Sequence, residues 1–379
     1  MTPAQIIVLA TPVFLALIAL EFWIGVRRSR NTYRLNDALA SVSLGIMSQL
    51  VGVFSAVVTL GLYSVVFDAI ALRPWPIESL WAWFVALVLY DLCYYWKHRF
   101  GHTVALMWAA HVVHHQSEDY NLSTALRQTS SDWLVGWLFY LPLAVLGVPP
   151  LVFGAVALID LLYQYWVHTQ QIGKLGWFDR WFCSPSNHRV HHAVNDRYLD
   201  KNYGGILIVW DRLFGSFAEE DASEPCVYGT RAPLQSWNPL WANLHTYRDL
   251  CVEAWRARAW LDKVRVFVKH PGWRPADVAQ RWPKPAFDIR FLRRHDPPPT
   301  RRGALAAVAL FMLALGGTAL FLWNAHRLGL TKQVLAASAI VAGLCAVAWF
   351  STSSAPVSGA DVAHGTRLSR KPQAAPKFP

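Results

Sequence analysis

"ALASVSLGIMSQLVGVFSAVVTLGLYSVVF", residues 38–67, contains no charged side chain. Crossing the hydrocarbon core of a bilayer takes roughly 17–25 apolar residues in a helix. This run exceeds that length, so it predicts a membrane-spanning helix. Similar runs recur along the chain. Residues 6–20 are apolar and continue past Glu21 to Val26. Ser79 to Tyr90 is uncharged between Glu78 and Asp91, and must continue past Asp91 to span. Residues 134–159 are uncharged but interrupted by Pro142, Pro149 and Pro150. The 134–168 region is too long for one span, and its prolines predict a helical hairpin. Residues 303–323 and 334–350 are clean apolar runs. The chain has 379 residues, 54% of them hydrophobic, with mean hydropathy +0.24, which suits a polytopic membrane protein. The first run has no basic leader and no clear small-residue cleavage site, so it reads as a span rather than a signal peptide.

Basic residues cluster in "RRSRNTYR" (27–34), "KHRF" (97–100) and "RRHDPPPTRR" (293–302). Placing all three on the cytoplasmic side lets the spans alternate without conflict. The net charge of +11 then belongs to cytoplasmic loops facing anionic lipid. No nucleic-acid recognition module is present, so no nucleic-acid partner is expected. The five cysteines, at 93, 183, 226, 251 and 345, include no CxxC, which argues against a Cys-ligated metal and against a disulfide framework. The predicted organisation is N-terminal transmembrane helices over 1–97, a histidine-rich catalytic region over 98–300 with the hairpin at about 133–168, a transmembrane hairpin over 301–350 and a disordered tail over 351–379.

The histidines are not scattered. Of 14, His98 and His102 lie in "HRFGH", His111, His114 and His115 in "HVVHH", and His188, His191 and His192 in "HRVHH"; His168 closes an apolar run. His245, His270, His295, His326 and His364 are isolated. On a helix, positions i, i+3 and i+4 share a face, so each box aims imidazoles to one side, and facing boxes can close a cage. So many imidazoles exceed what one ion can bind, which implies two. Imidazole suits iron, zinc, copper and nickel. An all-histidine dinuclear cage at the ends of membrane helices fits iron and O2 chemistry on an alkyl chain best. Metal transport would place ligands near the bilayer midplane, whereas most of these lie just outside the spans. The expected fold is therefore all-α: a polytopic membrane helix bundle with a cytoplasmic histidine-rich helical cap that holds a dinuclear metal site.

Polar residues around the boxes join the candidate site. Asp91 lies two turns before His98 and can accept an N–H from a metal-bound imidazole. Asp160, Gln164 and His168 form an i, i+4, i+8 polar stripe on an otherwise apolar span, and such residues usually face a bundle interior. Glu118, Asp119, Asn121, Arg127 and Gln128 can orient histidines or grip a polar head group; Ser117 and Asn121 can equally be helix caps. "DKNYGG", Asp200 to Gly205, is either a close backbone approach to the site or a turn.

The three boxes resemble those of the fatty acid hydroxylase/sterol desaturase superfamily. "SEDYNLSTALRQ" (117–128), "WVHTQQIGKLGWFD" (166–179) and "DKNYGGILIVWDRLFGSF" (200–217) resemble, more narrowly, the branch of alkylglycerol monooxygenase and its bacterial relatives, over about Tyr90 to Gly229. The resemblance implies an integral-membrane di-iron monooxygenase in which His98, His102, His111, His114, His115, His168, His188, His191 and His192 surround two irons. It further implies O2 as oxidant, a membrane lipid as substrate, hydroxylation beside an ether oxygen with collapse to aldehyde and glycerol, and electrons from tetrahydrobiopterin or a redox protein. The alternative within the superfamily is a sterol or fatty-acyl hydroxylase or desaturase. The bacterial likeness implies an inner membrane. Two positions depart from the branch pattern: Thr103 stands where Glu usually follows the first box, and Asn187 where His is common in the third.

Overall fold

The computed structural model describes residues 2–352; the tail expected over 351–379 lies outside them from residue 353 onward. All regular structure among the described residues is helical. There is no strand, only isolated bridges pairing Phe182 with Leu207 and Ala193 with Tyr228. Helices α1 (Pro3–Arg27) and α2 (Leu35–Ile70) open the chain, and α3 (Leu80–Thr103) leads into α4 (Ala105–His115). Then come α5 (Leu122–Ala125), α6 (Leu141–Leu146), α7 (Pro150–Trp166), α8 (Phe178–Trp181), α9 (Pro185–His191) and α10 (Val209–Leu213). Helices α11 (Pro239–Arg256), α12 (Trp260–Val268) and α13 (Ala276–Arg281) precede a final pair, α14 (Arg301–Asn324) and α15 (Leu330–Thr352).

Four helices, α1, α2, α14 and α15, are long and apolar enough to cross a membrane. Their ends follow local chemistry. Thr2 and Gln5 form a capping box ahead of α1, and the Thr300 hydroxyl caps α14, each satisfying donors the helix leaves open. Leu39, Ile46, Met47 and Leu50 of α2 pack against Ala307, Phe311, Ala314, Phe321, Leu344 and Val347 of the final pair. Outward-facing Val57, Leu313, Leu320 and Leu335 are exposed, as expected of a bundle whose solvent is lipid. At 36 residues, α2 is about 54 Å long, well beyond the ~30 Å of hydrocarbon it has to cross. The excess is its N-terminal end, where Asn36, Asp37, Ser41 and Ser43 are buried in a polar cap.

Helix α3 runs unbroken past Asp91, so its apolar first half continues into a half that carries Lys97, His98, Arg99 and His102. The 134–168 stretch folds as two 3-10 turns, a six-residue α6 and a 17-residue α7. Pro142 and Pro150 fall in the first turns of α6 and α7, where a missing N–H costs nothing. The prolines thus start helices, and the first arm is too short to cross a bilayer. Tyr63, Tyr90, Tyr140, Val152 and Val156 form the core that fixes α7 against α2 and α3. Helices α3 and α7 thereby deliver His98, His102 and His168 to the cap.

Candidate metal centre

The eight boxed histidines and His168 converge from four places: α3, α4, the end of α7 and α9. They divide into two groups. His98, His102, His111, His115 and His191 form one; His114, His168, His188 and His192 form the other, and within each group one nitrogen per ring lies within 4.8 Å of every other. The division follows from helix periodicity: i, i+4 partners His111 and His115 go to one group, while His114, on the adjacent face, goes to the other. His191 and His192 split in the same way. His245, His270, His295 and His326 belong to neither group, and His364 lies outside the described residues.

The protons on four of these nine rings are set by backbone carbonyls. His98 Nδ1 donates to the Tyr203 carbonyl at 2.8 Å, His114 Nδ1 to Arg127 at 2.8 Å, His168 Nδ1 to Gln164 at 2.8 Å and His191 Nδ1 to Lys201 at 3.0 Å. A carbonyl can only accept, so each Nδ1 carries the hydrogen and each neutral ring is left with a bare lone pair on Nε2. The His114 and His168 Nε2 atoms nevertheless face each other at 3.1 Å. With both protons on Nδ1, no hydrogen bond can form across that gap. His191 Nε2 and His102 Nε2 are buried with no partner at all. Lone pairs converging in a buried space repel unless a cation lies between them, so the donor set fits metal ions.

Spacing adds a second test. Neighbouring Nε2 atoms stand 3.0 Å apart for His98 and His111, 3.0 Å for His111 and His115, 3.1 Å for His168 and His188 and 3.2 Å for His188 and His192. Nitrogens about 2.1 Å from one metal stand about 3.0 Å apart at adjacent octahedral corners, but about 3.4 Å apart on a tetrahedron. The closest pairs lie near the octahedral edge, and all nitrogens of a group lie within 4.8 Å of one another. Burial also keeps the rings neutral. It pushes the His114 imidazole down to about 4 and holds His115, His188, His191 and His192 well below the ordinary range, helped by neighbouring imidazoles.

The flanking candidates take other places. Asp91 reaches no imidazole; its carboxylate accepts from Ile206 N (2.7 Å), Leu207 N (3.0 Å) and Trp210 Nε1 (2.8 Å). It therefore clamps the loop whose carbonyls orient His98 and His191. Asp160 accepts from Gln164 Nε2 at 2.7 Å, and the Gln164 carbonyl holds His168. Gly205 lies between the two acids: a Cβ there would fall 2.8 Å from Asp160 Oδ1, 2.9 Å from Asp91 Oδ1 and 2.9 Å from Tyr94 Cδ1. Gly205→Ala is therefore expected to destabilise the protein by about 1–3 kcal/mol, read as a lower melting temperature.

In the polar segment after the second box, Tyr120 lies against His168 and His192, and Arg127 holds a candidate ligand through its carbonyl. Its buried guanidinium donates to Val113 O (2.9 Å), Gln116 Oε1 (3.2 Å) and Ser41 Oγ (3.3 Å). Asn121 caps α5 and donates to Thr32 O at 2.7 Å. Asp119 pairs with Arg34 at 2.8 Å, and Glu118 accepts from His295 N at 2.7 Å. The segment thus ties the α1–α2 loop and the 294–295 strap around the histidines instead of gripping a head group. Asn187 donates to Asp179 O (3.0 Å) and Phe182 O (3.1 Å), and Thr103 only to Arg99 O (3.0 Å) in its own helix.

Further residues also build the site. Tyr120 stacks on His168, with ring centroids 5.6 Å apart. Asp200, with φ +57°, sets Oδ1 3.5 Å from His102 Nδ1. Fully buried Asp211 accepts from Tyr203 N and Gly204 N, both at 2.7 Å. Asp200 lies in the "DKNYGG" stretch, whose Lys201 and Tyr203 carbonyls approach the rings; the only advance signal for Asp211 was its place in the string 200–217. The chamber opens on a cavity of about 1300 Å³ lined by His98, His111, His114 and His168 at one end and by Phe14, Val53, Leu60, Leu158 and Leu161 along its walls.

Residues 83–216 match the fatty acid hydroxylase family model. Alkylglycerol monooxygenase of Homo sapiens is 40% identical over 267 residues, covering 70% of this chain and 59% of that protein. The Danio rerio enzyme is 41% identical over 267 residues, with the same shares. Ornithine lipid hydroxylase OlsE of Rhizobium tropici is 30% identical over 146 residues, 38% of this chain and 44% of that protein. The chain spans about three fifths of the length of the two monooxygenases. No solved structure matches it.

Proposed function

We propose, taking as premise that residues 83–216 are a fatty acid hydroxylase domain, that the chain is a membrane-embedded, O2-dependent di-iron monooxygenase. Its substrate is a lipid alkyl chain next to an ether oxygen, as the name of the alkylglycerol monooxygenase relatives suggests. The observation that carries this reading is the two groups of inward-facing Nε2 lone pairs at the end of an apolar cavity. His98, His102, His111, His115 and His191 would hold one ion, and His114, His168, His188 and His192 the other. Two irons there would supply reduction of O2 and attack on an unactivated C–H bond.

The protein's own residues do the rest. Phe14, Val53, Leu60, Leu158 and Leu161 bind the alkyl chain and exclude water. The cavity end holds the carbon beside the ether oxygen against the histidine rings. One oxygen atom enters that C–H bond, and the other leaves as water with two electrons and two protons from a donor, a tetrahydropterin or a redox protein. The product is a hemiacetal. Its hydroxyl proton is lost, the carbon–oxygen bond to glycerol breaks, and a fatty aldehyde and free glycerol leave.

Membrane placement follows from loop charge. The basic α1–α2 loop is bound to the cap through Arg34 and Asp119 and through Asn121 and Thr32, so loop and centre share one side. The positive-inside rule makes that side cytoplasmic, in a bacterial inner membrane. Two measurements test the proposal. Elemental analysis of purified protein is expected to give about two irons per chain, the number two coordination groups demand. Ether lipid is expected to yield fatty aldehyde only with O2 and reductant. Full activity with stoichiometric zinc would exclude iron, and hydroxylated acyl chains without aldehyde would favour a fatty-acyl hydroxylase.

A further inference from the structure

Helix α12 is built inside out for a water-facing cap. Val266 is buried, whereas Trp260, Leu261, Val264 and Val268 point outward and are exposed. They share one face, since positions 260, 264 and 268 are spaced by four and 261 lies beside them. The preceding α11, which packs against α12, also exposes Leu240, Trp241, Leu244 and, at its end, Trp255. Trp255 and Trp260 are 85% and 82% exposed, far more than indole tolerates in water without cause. A contiguous apolar surface of this kind marks a protein or membrane contact.

Two observations choose the membrane. The first is continuity: α11 packs against α2 and α15, two of the helices able to cross the bilayer, so the outward stripe starts where the spans meet the cap. The second is charge. From Trp255 to Lys269 there are five basic residues, Arg256, Arg258, Lys263, Arg265 and Lys269, and one acidic, Asp262, a net of +4. Asp262 is already paired with Arg265 at 3.0 Å. Tryptophan with flanking Lys and Arg is the composition of a helix that lies in the head-group layer, and each such cation is drawn to anionic lipid.

We propose that α11 and α12 form an in-plane arm that inserts Leu244, Trp255, Trp260, Leu261, Val264 and Val268 into the head-group boundary of an anionic leaflet. The arm attaches the cap to the bilayer independently of the spans and of the chemistry at the metal centre. The test uses the full chain in nanodiscs, with a spin label on Val264→Cys, a second on Leu261→Cys and a reference label on Arg290→Cys, whose side chain is exposed. Unsubstituted protein corrects for labelling of the native cysteines. In discs containing phosphatidylglycerol, labels at 261 and 264 are expected to lose collision with an aqueous nickel chelate and gain collision with oxygen, while 290 keeps the aqueous pattern. Phosphatidylcholine discs are expected to give a smaller loss. Equal chelate access at 261, 264 and 290 in phosphatidylglycerol discs would overturn the proposal. So would shielding that appears only with two copies per disc, since the occupant would then be a second chain. Because both labelled positions point outward, neither variant depends on refolding a core.

Discussion

On the proposed di-iron function, His191→Ala is expected to lose bound iron and monooxygenase activity together while the protein keeps its fold. His191 Nε2 is buried and has no partner, and its ring packs among His98, His102 and His115. Removing it from metal-free protein therefore breaks one hydrogen bond, from Nδ1 to Lys201 O, and relieves the crowding of several lone pairs. The stranded carbonyl and the space left behind should lower the stability of the metal-free variant by about 1–3 kcal/mol. Metal affinity should respond far more. Loss of a partner behind a ligand already costs about 10–100-fold, so loss of the ligand itself should exceed about 100-fold. Iron content, circular dichroism melting and aldehyde formation measured on one preparation separate these effects. Unchanged iron with unchanged turnover would remove His191 from the centre.

The sequence made some of this legible, and the reasons are physical. Long uncharged runs are costly anywhere but in a bilayer, so the helices now seen at α1, α2, α14 and α15 could be read directly. The histidine boxes were legible because helix periodicity turns a spacing of three or four into a shared face. What orients the rings was not legible. Asp91 looked like the acceptor for an imidazole, yet the acceptors are main-chain carbonyls of Tyr203, Arg127, Gln164 and Lys201. Every residue type has a carbonyl, so composition cannot mark these positions. The 200–203 loop also depends on left-handed backbone at Asp200 and Asn202, residues that tolerate that region but do not announce it. "SEDYNLSTALRQ" left capping and site roles equally open, because its polar groups mostly satisfy one another and neighbouring loops, while Gln128 lines the cavity.

Asp211→Ala should be the most damaging change away from the imidazoles. The Asp211 carboxylate accepts from Tyr203 N, Gly204 N and Ser216 Oγ, each at 2.7 Å. Alanine strands all three donors in the interior, at about 1–3 kcal/mol each. The sum, roughly 3–9 kcal/mol, is a large part of the ~5–15 kcal/mol that holds a typical domain together. Tyr203 is also the residue whose carbonyl fixes His98, so the loop that relaxes is the one that aims a candidate ligand. Asp211→Asn separates stability from aiming. It keeps the shape and one acceptor oxygen but turns an N–H toward another N–H, so it is expected to fold below its melting temperature and still bind iron more weakly. A pH series gives an independent signature. Burial raises the Asp211 carboxyl to about 6 in the folded protein, above its ordinary 3.8. Between those values the unfolded chain binds fewer protons than the folded one, so this group makes stability fall as pH rises, by about 3 kcal/mol in all, with no further change above about pH 6. The Asn variant lacks that component. If wild type and variant show parallel stability profiles from about pH 4 to pH 7 and equal iron affinity, Asp211 does not act through the Tyr203 loop.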